Sequence, residues 1–417
     1  MQSLQASLTT AHQSSIPNPN LNPSSSETAA ENVKSVIQST VQLVEPYADS
    51  QKTTKGHTLP QALHVITPLI YSEALSKDHD VYLKMDCLQP SGSFKIRGVG
   101  AVCHEAYEQY GAETYIVTSS GGNAGLAAAT AAKSLGCRCL VVVPRKTERA
   151  VVQMLRDLGA EVDNGSADVW DDADRIARAF VAKQKGAVYV HPFVGDTLTQ
   201  GHASLIHELA LQLADHGVTK PSMIVCSVGG GGLIRGLIHG LESTDELGRP
   251  KVVGVQDFGA DSFAQSWNGW LQKGGDPQVV TIPGITSKAT SMGTKSCSVD
   301  TLTAAVRYAD ADDKPRDTKF TALVVDDAIS GSACWQFHRD HQLMVEMACG
   351  AALAPVYQRQ ILEELLHGLG EKGERKSIVI VVCGGSKIDQ ETLNVYEQEY
   401  GMAREAGIRA MVDGRML

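Results

Sequence analysis

No apolar run in this chain approaches the ~18 to 20 residues that cross a bilayer; its apolar segments, such as "CLVVVP" and "SIVIVVCGG", are of strand length. A helical membrane protein is excluded, and a soluble one is expected. Also missing is any block of Lys and Arg able to track a phosphate backbone. The formal net charge of -10 takes nucleic acid out of the expected partners and leaves small-molecule chemistry. The nine cysteines follow no framework spacing, as in a reduced intracellular protein, and Cys137 and Cys139 in "CRCL" alternate as core residues of a strand would. No repeat of solenoid period is present. There is no Lys or Arg before Lys34, which argues against a secretory or mitochondrial leader. The Ser/Asn/Pro/Gln bias there predicts a disordered tail over residues 1–56 of a cytoplasmic protein, with order beginning near "GHTLPQALHVITPLIYSEAL".

At 417 residues the chain has room for two or three domains. From about residue 80 it alternates apolar, strand-like runs with helical segments. "DVYLKMD" precedes a helix from about Phe94 to Tyr110, "TYIVTSS" precedes "LAAATAAKSLG", and "MIVCSV" precedes "LIRGLIHGL". "RCLVVVP", "KVVGVQ" and "SIVIVVCGGSKI" supply further strands. Strands that are apolar throughout are covered on both faces, so the pattern predicts a doubly wound α/β protein with mostly parallel sheets. Such sheets bind ligands where strands end and turns begin. Four turns stand out: "PSGSFK", "SSGGNAG", "GGGG" and "CGGS".

In "SVGGGG", Gly229 to Gly232 leave backbone N–H groups unobstructed at a helix start, an anion nest suited to a phosphate. It is neither a P-loop nor a G-x-G-x-x-G fingerprint, and a tight turn alone would account for one or two of the glycines. In "SSGGNAG", Ser120 and the amides of Gly121 and Gly122 suit a carboxylate, and Asn123 can donate and accept beside a phenolic oxygen. The same turn would also serve as a plain N-cap with glycines for packing.

Lys95 falls in the first turn of its helix, with Ser93 as candidate cap. The dipole disfavours a cation there, and Phe94 and Ile96 desolvate it, so the amine should lose its proton easily. A neutral amine is what a Schiff base needs; an arbitrary lysine would instead snorkel at the surface. A lysine for an aldehyde, one nest for its phosphate and one for an amino-acid carboxylate are the requirements of pyridoxal phosphate chemistry. The ring nitrogen then needs a partner, and "VVCGGS" offers Cys383, with Ser386 as second choice. A thiol hydrogen-bonds the nitrogen without forcing its protonation, which suits β-elimination better than transamination.

Taken in order, "PSGSFKIRG", "SSGGNAG", "SVGGGG", "EMACGAALAPVY" and "VVCGGSKI" resemble the fold type II pyridoxal-phosphate enzymes, specifically the eukaryotic L-serine dehydratase/L-threonine deaminase family, over about residues 58 to 400. The resemblance implies two doubly wound domains with open, twisted sheets of the tryptophan synthase β kind. Residues 57–88 and 197–417 would form the large domain and 89–196 the small one, with the cofactor in the cleft between them. It implies that Lys95 carries the cofactor, that Phe94 packs on one ring face and Ser291 faces the other, and that Gly229, Gly230, Gly231 and Gly232 hold the phosphate. Asn123 would meet the 3'-oxygen, Ser120 with Gly121 and Gly122 the substrate carboxylate, and Cys383 the ring nitrogen. A monovalent cation, K+, would sit among Gly229, Ala260, Ser262, Met292 and Thr294. There this chain has Gln256 in place of the glutamate of relatives, and a carboxamide adds no charge. The expected form is a homodimer acting on L-serine and L-threonine by β-elimination.

Three rivals share these turns. A serine racemase needs a second base within the asparagine turn, where this chain has Gly121. A non-catalytic amino-acid or cofactor sensor would have no need of the catalytic positions, which are filled here. A biosynthetic threonine deaminase would add a regulatory domain, yet the chain ends at Leu417, too soon after Cys383 for a further ~50 residues. His338 with His341, and His202, His207 and Glu208, do not match H-E-x-x-H and read as solvated helix faces. The acidic runs "DVWDDAD" and "DADDKPRD" read as helix starts and loops.

Overall fold

The computed structural model of the protein describes residues 62–311, 319–371, 373–401 and 409–417. The tail expected over residues 1–56 and most of "DADDKPRD" lie outside them. Among the described residues, β1 (Leu69–Tyr71), β2 (Asp80–Lys84), β7 (Met223–Ser227), β8 (Lys251–Asp257), β9 (Phe320–Val325), β10 (Ser377–Val381), β11 (Ala410–Val412) and β12 (Arg415–Met416) form an eight-stranded sheet. Its order is β1-β2-β10-β7-β8-β9-β11-β12. The central strands are parallel: Ile378 of β10 pairs with Val81 on one side and Met223 on the other, and Val252 of β8 pairs with Phe320 of β9. Only the edges run antiparallel, at β1 and at β11 with β12.

The second sheet has the order β5-β4-β3-β6 and is parallel throughout, built from β3 (Tyr115–Thr118), β4 (Arg138–Pro144), β5 (Glu161–Ala167) and β6 (Ala187–Tyr189). Every residue of "MIVCS", "KVVGVQD" and "FTALVV" is buried, because helices cover both faces of a parallel sheet. This is the doubly wound α/β arrangement that the alternating pattern predicts.

The helix Lys95–Tyr110 joins the two sheets. It packs on the helix Asn123–Leu135 of the small sheet and on the helix Asp196–Asp215 beside the large one. Its Ile96 and Val99 share one core with Ala127, Val141 and Leu198. The carboxyl ends of β3, β7 and β10 lead directly into the turns singled out by the sequence.

Candidate active site

Lys95 is the first residue of its helix and is held from beneath. Phe94 N donates to Cys383 O at 3.1 Å, and Ser93 forms an antiparallel bridge with Gly384, so this segment lies across the end of β10. Two residues on, the fully buried Arg97 donates to Asp86 through Nε at 2.7 Å and Nη2 at 2.8 Å, and to Glu208 through Nη1 at 2.7 Å. Lys84 Nζ donates to the same Glu208 at 2.7 Å. Burial would push the Asp86 carboxyl up, but the Arg97 guanidinium outweighs it and holds the group at about 2. Removing one member of such a buried set costs roughly 3–5 kcal/mol.

Ser93 does not cap the helix. Phe94 occupies the cap position with helical φ of −51°, and Ser93 Oγ is buried with no hydrogen bond among the described residues. The pairing with Gly384 commits the Ser93 backbone to the end of the sheet, so the helix starts without a side-chain cap.

Lys95 is half-buried, its Nζ donating to Pro192 O at 2.7 Å and lying 5.0 Å from the Phe94 ring centroid. Desolvation pushes the amine down to about 8, with Cys383 opposing it. Burial thus acts in the direction expected of the helix dipole. The amine faces a cavity of ≈ 600 Å³ that is also lined by Phe94, Ser120, Gly121, Gly122, Asn123, Gly229, Gly230, Gly231, Gly232, Ser291 and Cys383. All four unusual turns open into this one space.

The glycine loop runs from β7 into the helix Gly232–Ser243, with Gly231 in the left-handed region at φ +98°. A Cβ on Gly230 would lie 2.2 Å from the Phe193 ring, and one on Gly231 2.4 Å from the Thr301 side chain. The glycines are therefore required for packing as well as for open amides. Asn123 begins its own helix; its Nδ2 donates to Glu346 Oε1 at 3.1 Å and its Oδ1 accepts from Ser386 N at 3.0 Å. Ser120 Oγ accepts from Gly122 N at 3.3 Å.

Cys383 follows β10, with its sulfur 3.3 Å from Ser227 Oγ. Hydrogen bonds from Cys349 and then Ser227 hold this thiol below its ordinary value against the opposing effect of burial, whereas burial pushes Cys349 up. Ser386 is committed elsewhere, since its hydroxyl donates to Ser91 O at 2.9 Å.

Glu346 carried no role in the sequence reading and is central here. Nearly buried, it accepts hydrogen bonds from Asn123 Nδ2, from Ser291 Oγ and, at 2.9 Å, from Lys387 N. One carboxylate so ties the asparagine turn, the Ser291 loop and the last turn together. Its signal was an acid at the start of "EMACGAALA", a position that favours negative charge at a helix N-terminus. The histidines need correction as well. His202 and Glu208 are buried, not solvated: the His202 ring lies 5.2 Å from that of Phe94, and desolvation holds the imidazole well below its ordinary value. His341 is also buried, 2.9 Å from Ser72 Oγ. Their helices are covered on more sides than an outer helix would be. Of "DVWDDAD", Trp170 and Asp171 start a helix as expected, but they also line the cavity.

The residues tied by the resemblance to a cation come together beneath the glycine loop. A Cβ on Gly229 would lie 3.2 Å from Met292 Cα, Ser262 Oγ donates to Thr294 O at 3.2 Å, and the Gln256 carboxamide bonds Ala260 O.

Comparison with known proteins bears on what this site is for. A family model described as "Pyridoxal-phosphate dependent enzyme" matches residues 61–384. The chain belongs to the pyridoxal-phosphate-dependent enzyme family. This pyridoxal-phosphate-dependent enzyme is 37% identical over 344 residues to the L-serine dehydratase/L-threonine deaminase of Homo sapiens, covering 82% of this chain and 97% of that one. It is 38% identical over 351 residues to the serine dehydratase-like protein of Homo sapiens, covering 83% and 97%. Among solved structures, a fungal L-serine ammonia-lyase from Rhizomucor miehei is 32% identical with a TM-score of 0.70, covering 82% of this chain and all of the other (100%). The pyridoxal-phosphate-dependent enzyme thus has the type II fold that its turns resemble.

Proposed function

We propose that this enzyme dehydrates and deaminates L-serine to pyruvate and ammonia, and treats L-threonine likewise to give 2-oxobutanoate. The observation that carries the reading is the convergence on one cavity of a desolvated lysine amine, a glycine loop at a helix start, an asparagine turn and a buried thiol. The names of the relatives support the substrate class.

These groups fit pyridoxal phosphate by their chemistry. Backbone N–H groups of Gly229 to Gly232 would hold its phosphate at a helix N-terminus. Asn123 would hold the 3'-oxygen, Phe94 and Ser291 would flank the ring, and Cys383 would meet the ring nitrogen. When bound, the cofactor supplies an aldehyde that takes up an amine and a ring that stabilises negative charge at Cα. Lys95 Nζ, short of solvent and without a carboxylate partner among the described residues, offers a lone pair near neutral pH. The same nitrogen, when free, would take the proton from the substrate Cα. The helix start at Ser120, Gly121, Gly122 and Asn123 holds the substrate carboxylate and orients that Cα–H bond. The Cys383 thiol would hydrogen-bond the ring nitrogen without forcing its protonation, which would favour loss of the β-hydroxyl over transamination.

A Cβ on Gly121 would lie 3.0 Å from Thr147 Cγ2 and 3.1 Å from Val143 Cγ1. Thr147 and Val143 crowd the position where a racemase places its second base, which favours elimination. The same reading carries a cytoplasmic homodimer with a small domain at 89–196. Purified, cofactor-loaded protein should form pyruvate from L-serine and 2-oxobutanoate from L-threonine, each with ammonia. Lys95→Ala should abolish both, with a rate loss of about 10³-fold or more. Undiminished pyruvate formation by that variant would end the assignment.

A further inference from the structure

Gln256 lies in β8 with no exposed surface, and its carboxamide is satisfied at both ends. Oε1 accepts from Ala264 N at 2.9 Å. Nε2 donates to Val228 O at 2.9 Å and to Ala260 O at 2.8 Å. Chemistry fixes this orientation: the Ala264 N–H needs an acceptor and the two carbonyls need a donor. A flipped amide would set donor against donor and one oxygen against two.

Ala260 O is among the oxygens that the family resemblance gives to a monovalent cation, together with the Gln256 side chain, the carbonyls of Gly229 and Met292, of which Met292 O accepts from Thr294 N at 2.9 Å, the Ser262 hydroxyl and the Thr294 carbonyl. The last two bond each other, Ser262 Oγ donating to Thr294 O at 3.2 Å. A monovalent cation is held by several oxygens turned toward it, with no N–H donor pointing into the same space. Here the carbonyls of Val228, Ala260 and Thr294 already accept from neutral side chains. The neighbouring carboxylate, Asp257, follows the strand alternation to the other face of β8 and accepts from Ser330 Oγ. The donor set present does not fit a cation.

We propose that Gln256 Nε2 stands in for the monovalent cation, so that this enzyme builds its glycine loop and turns over without one. Val228 immediately precedes the glycine loop, and Ala260 leads into the helix Ser262–Lys273. The carboxamide joins these two turns by hydrogen bonds, where an ion would join them by shared oxygens. The inference rests on the fold and on these bonds, and melting and metal content read it without any substrate.

The test exchanges the cofactor-loaded full chain into potassium, sodium or tetramethylammonium chloride at equal ionic strength. Melting temperature, bound potassium by mass spectrometry and steady-state rate are then measured. The expected result is no stoichiometric potassium, an unchanged melting temperature and rates within about twofold, since a salt that binds nothing shifts nothing. Gln256→Glu sets a charged oxygen against the carbonyls of Val228 and Ala260, and that variant should melt higher in potassium than in tetramethylammonium. Stoichiometric potassium in the wild type, or a rate lower by about tenfold without potassium, would overturn the proposal. So would a folded Gln256→Glu that melts alike in all three salts. Where that variant fails to fold, the wild-type comparison decides alone.

Discussion

The glycine loop Gly229–Gly232 and the asparagine turn Ser119–Gly125 both carry a parallel strand into a helix, yet the protein packs around them differently. Beneath the first, β7 and β8 are buried along their whole length, Phe193 and Thr301 fill the spaces beside Gly230 and Gly231, and Gln256 fastens Val228 O. Around the second, Ser120 to Asn123 stay half-exposed, and a Cβ on Gly122 would meet only Ser120 Oγ, at 3.9 Å. The Asn123 side chain hangs on Glu346 and Ser386, which come from elsewhere in the chain. The sheets repeat the contrast, for β5 lies largely at the surface. Under the proposed function the glycine loop holds the cofactor in a close-packed interior, while the asparagine turn, tightly packed at Gly121 and Gly125, keeps its open space at Gly122, where the substrate would enter.

Four measurements would break or sharpen this contrast. The largest effect is expected at the packed loop: Gly230→Ala drives a methyl into the Phe193 ring. It should lose about 1–3 kcal/mol of stability and most of its retained cofactor, read by melting and by absorbance of the cofactor released on denaturation. At the open turn, Gly122→Ala adds a methyl to free space at φ −120°, so stability should change by no more than about 0.5 kcal/mol. A destabilised Gly122→Ala would erase the distinction.

The third measurement concerns Lys95, which sits between the two regions. Its folded value, pushed down to about 8 by desolvation, lies below the unfolded one, 10.5. Between those values the unfolded chain binds more protons than the folded one, so this group makes stability rise with pH across the window. The melting temperature of cofactor-free wild type, measured against Lys95→Met, should therefore gain from pH 8 to 10.5 and be flat above. A flat difference from pH 8 upward would show that the amine is not desolvated. The smallest effect is in hydrogen exchange, where amides of β7, β8 and β10 should outlast those of β5 and β6. Equal protection would mean that the two sheets open together.

Much of this was legible in the chain. The strand-like runs correspond to β2, β3, β4, β7, β8 and β10, because a parallel strand buried on both faces must be apolar throughout. The four turns were visible because glycine runs and a lysine between apolar residues are costly anywhere without a purpose. Ser93 was misread because a capping residue is judged from its local neighbours, whereas its partner, Gly384, comes from the far end of the chain. His202, Glu208 and His341 were misread for the same kind of reason: spacing along a helix says which residues share a face, not what covers that face. Glu346 sat inside a quoted motif, but its three hydrogen-bond donors come from three distant segments.

By itself, then, the sequence determined the alternation of strands and helices, the places where the backbone needed glycine, and the amine and thiol available to a cofactor. Those follow from local rules, in which side-chain size, backbone freedom and polarity act over a few residues. Only the tertiary structure decided that Glu346 gathers three loops, that Arg97 anchors the helix of Lys95 to Asp86 and Glu208, and that Gln256 turns its Nε2 toward two carbonyls. Each depends on groups far apart in the chain meeting where water is excluded, and there an unpaired charge, donor or carbonyl costs too much to remain.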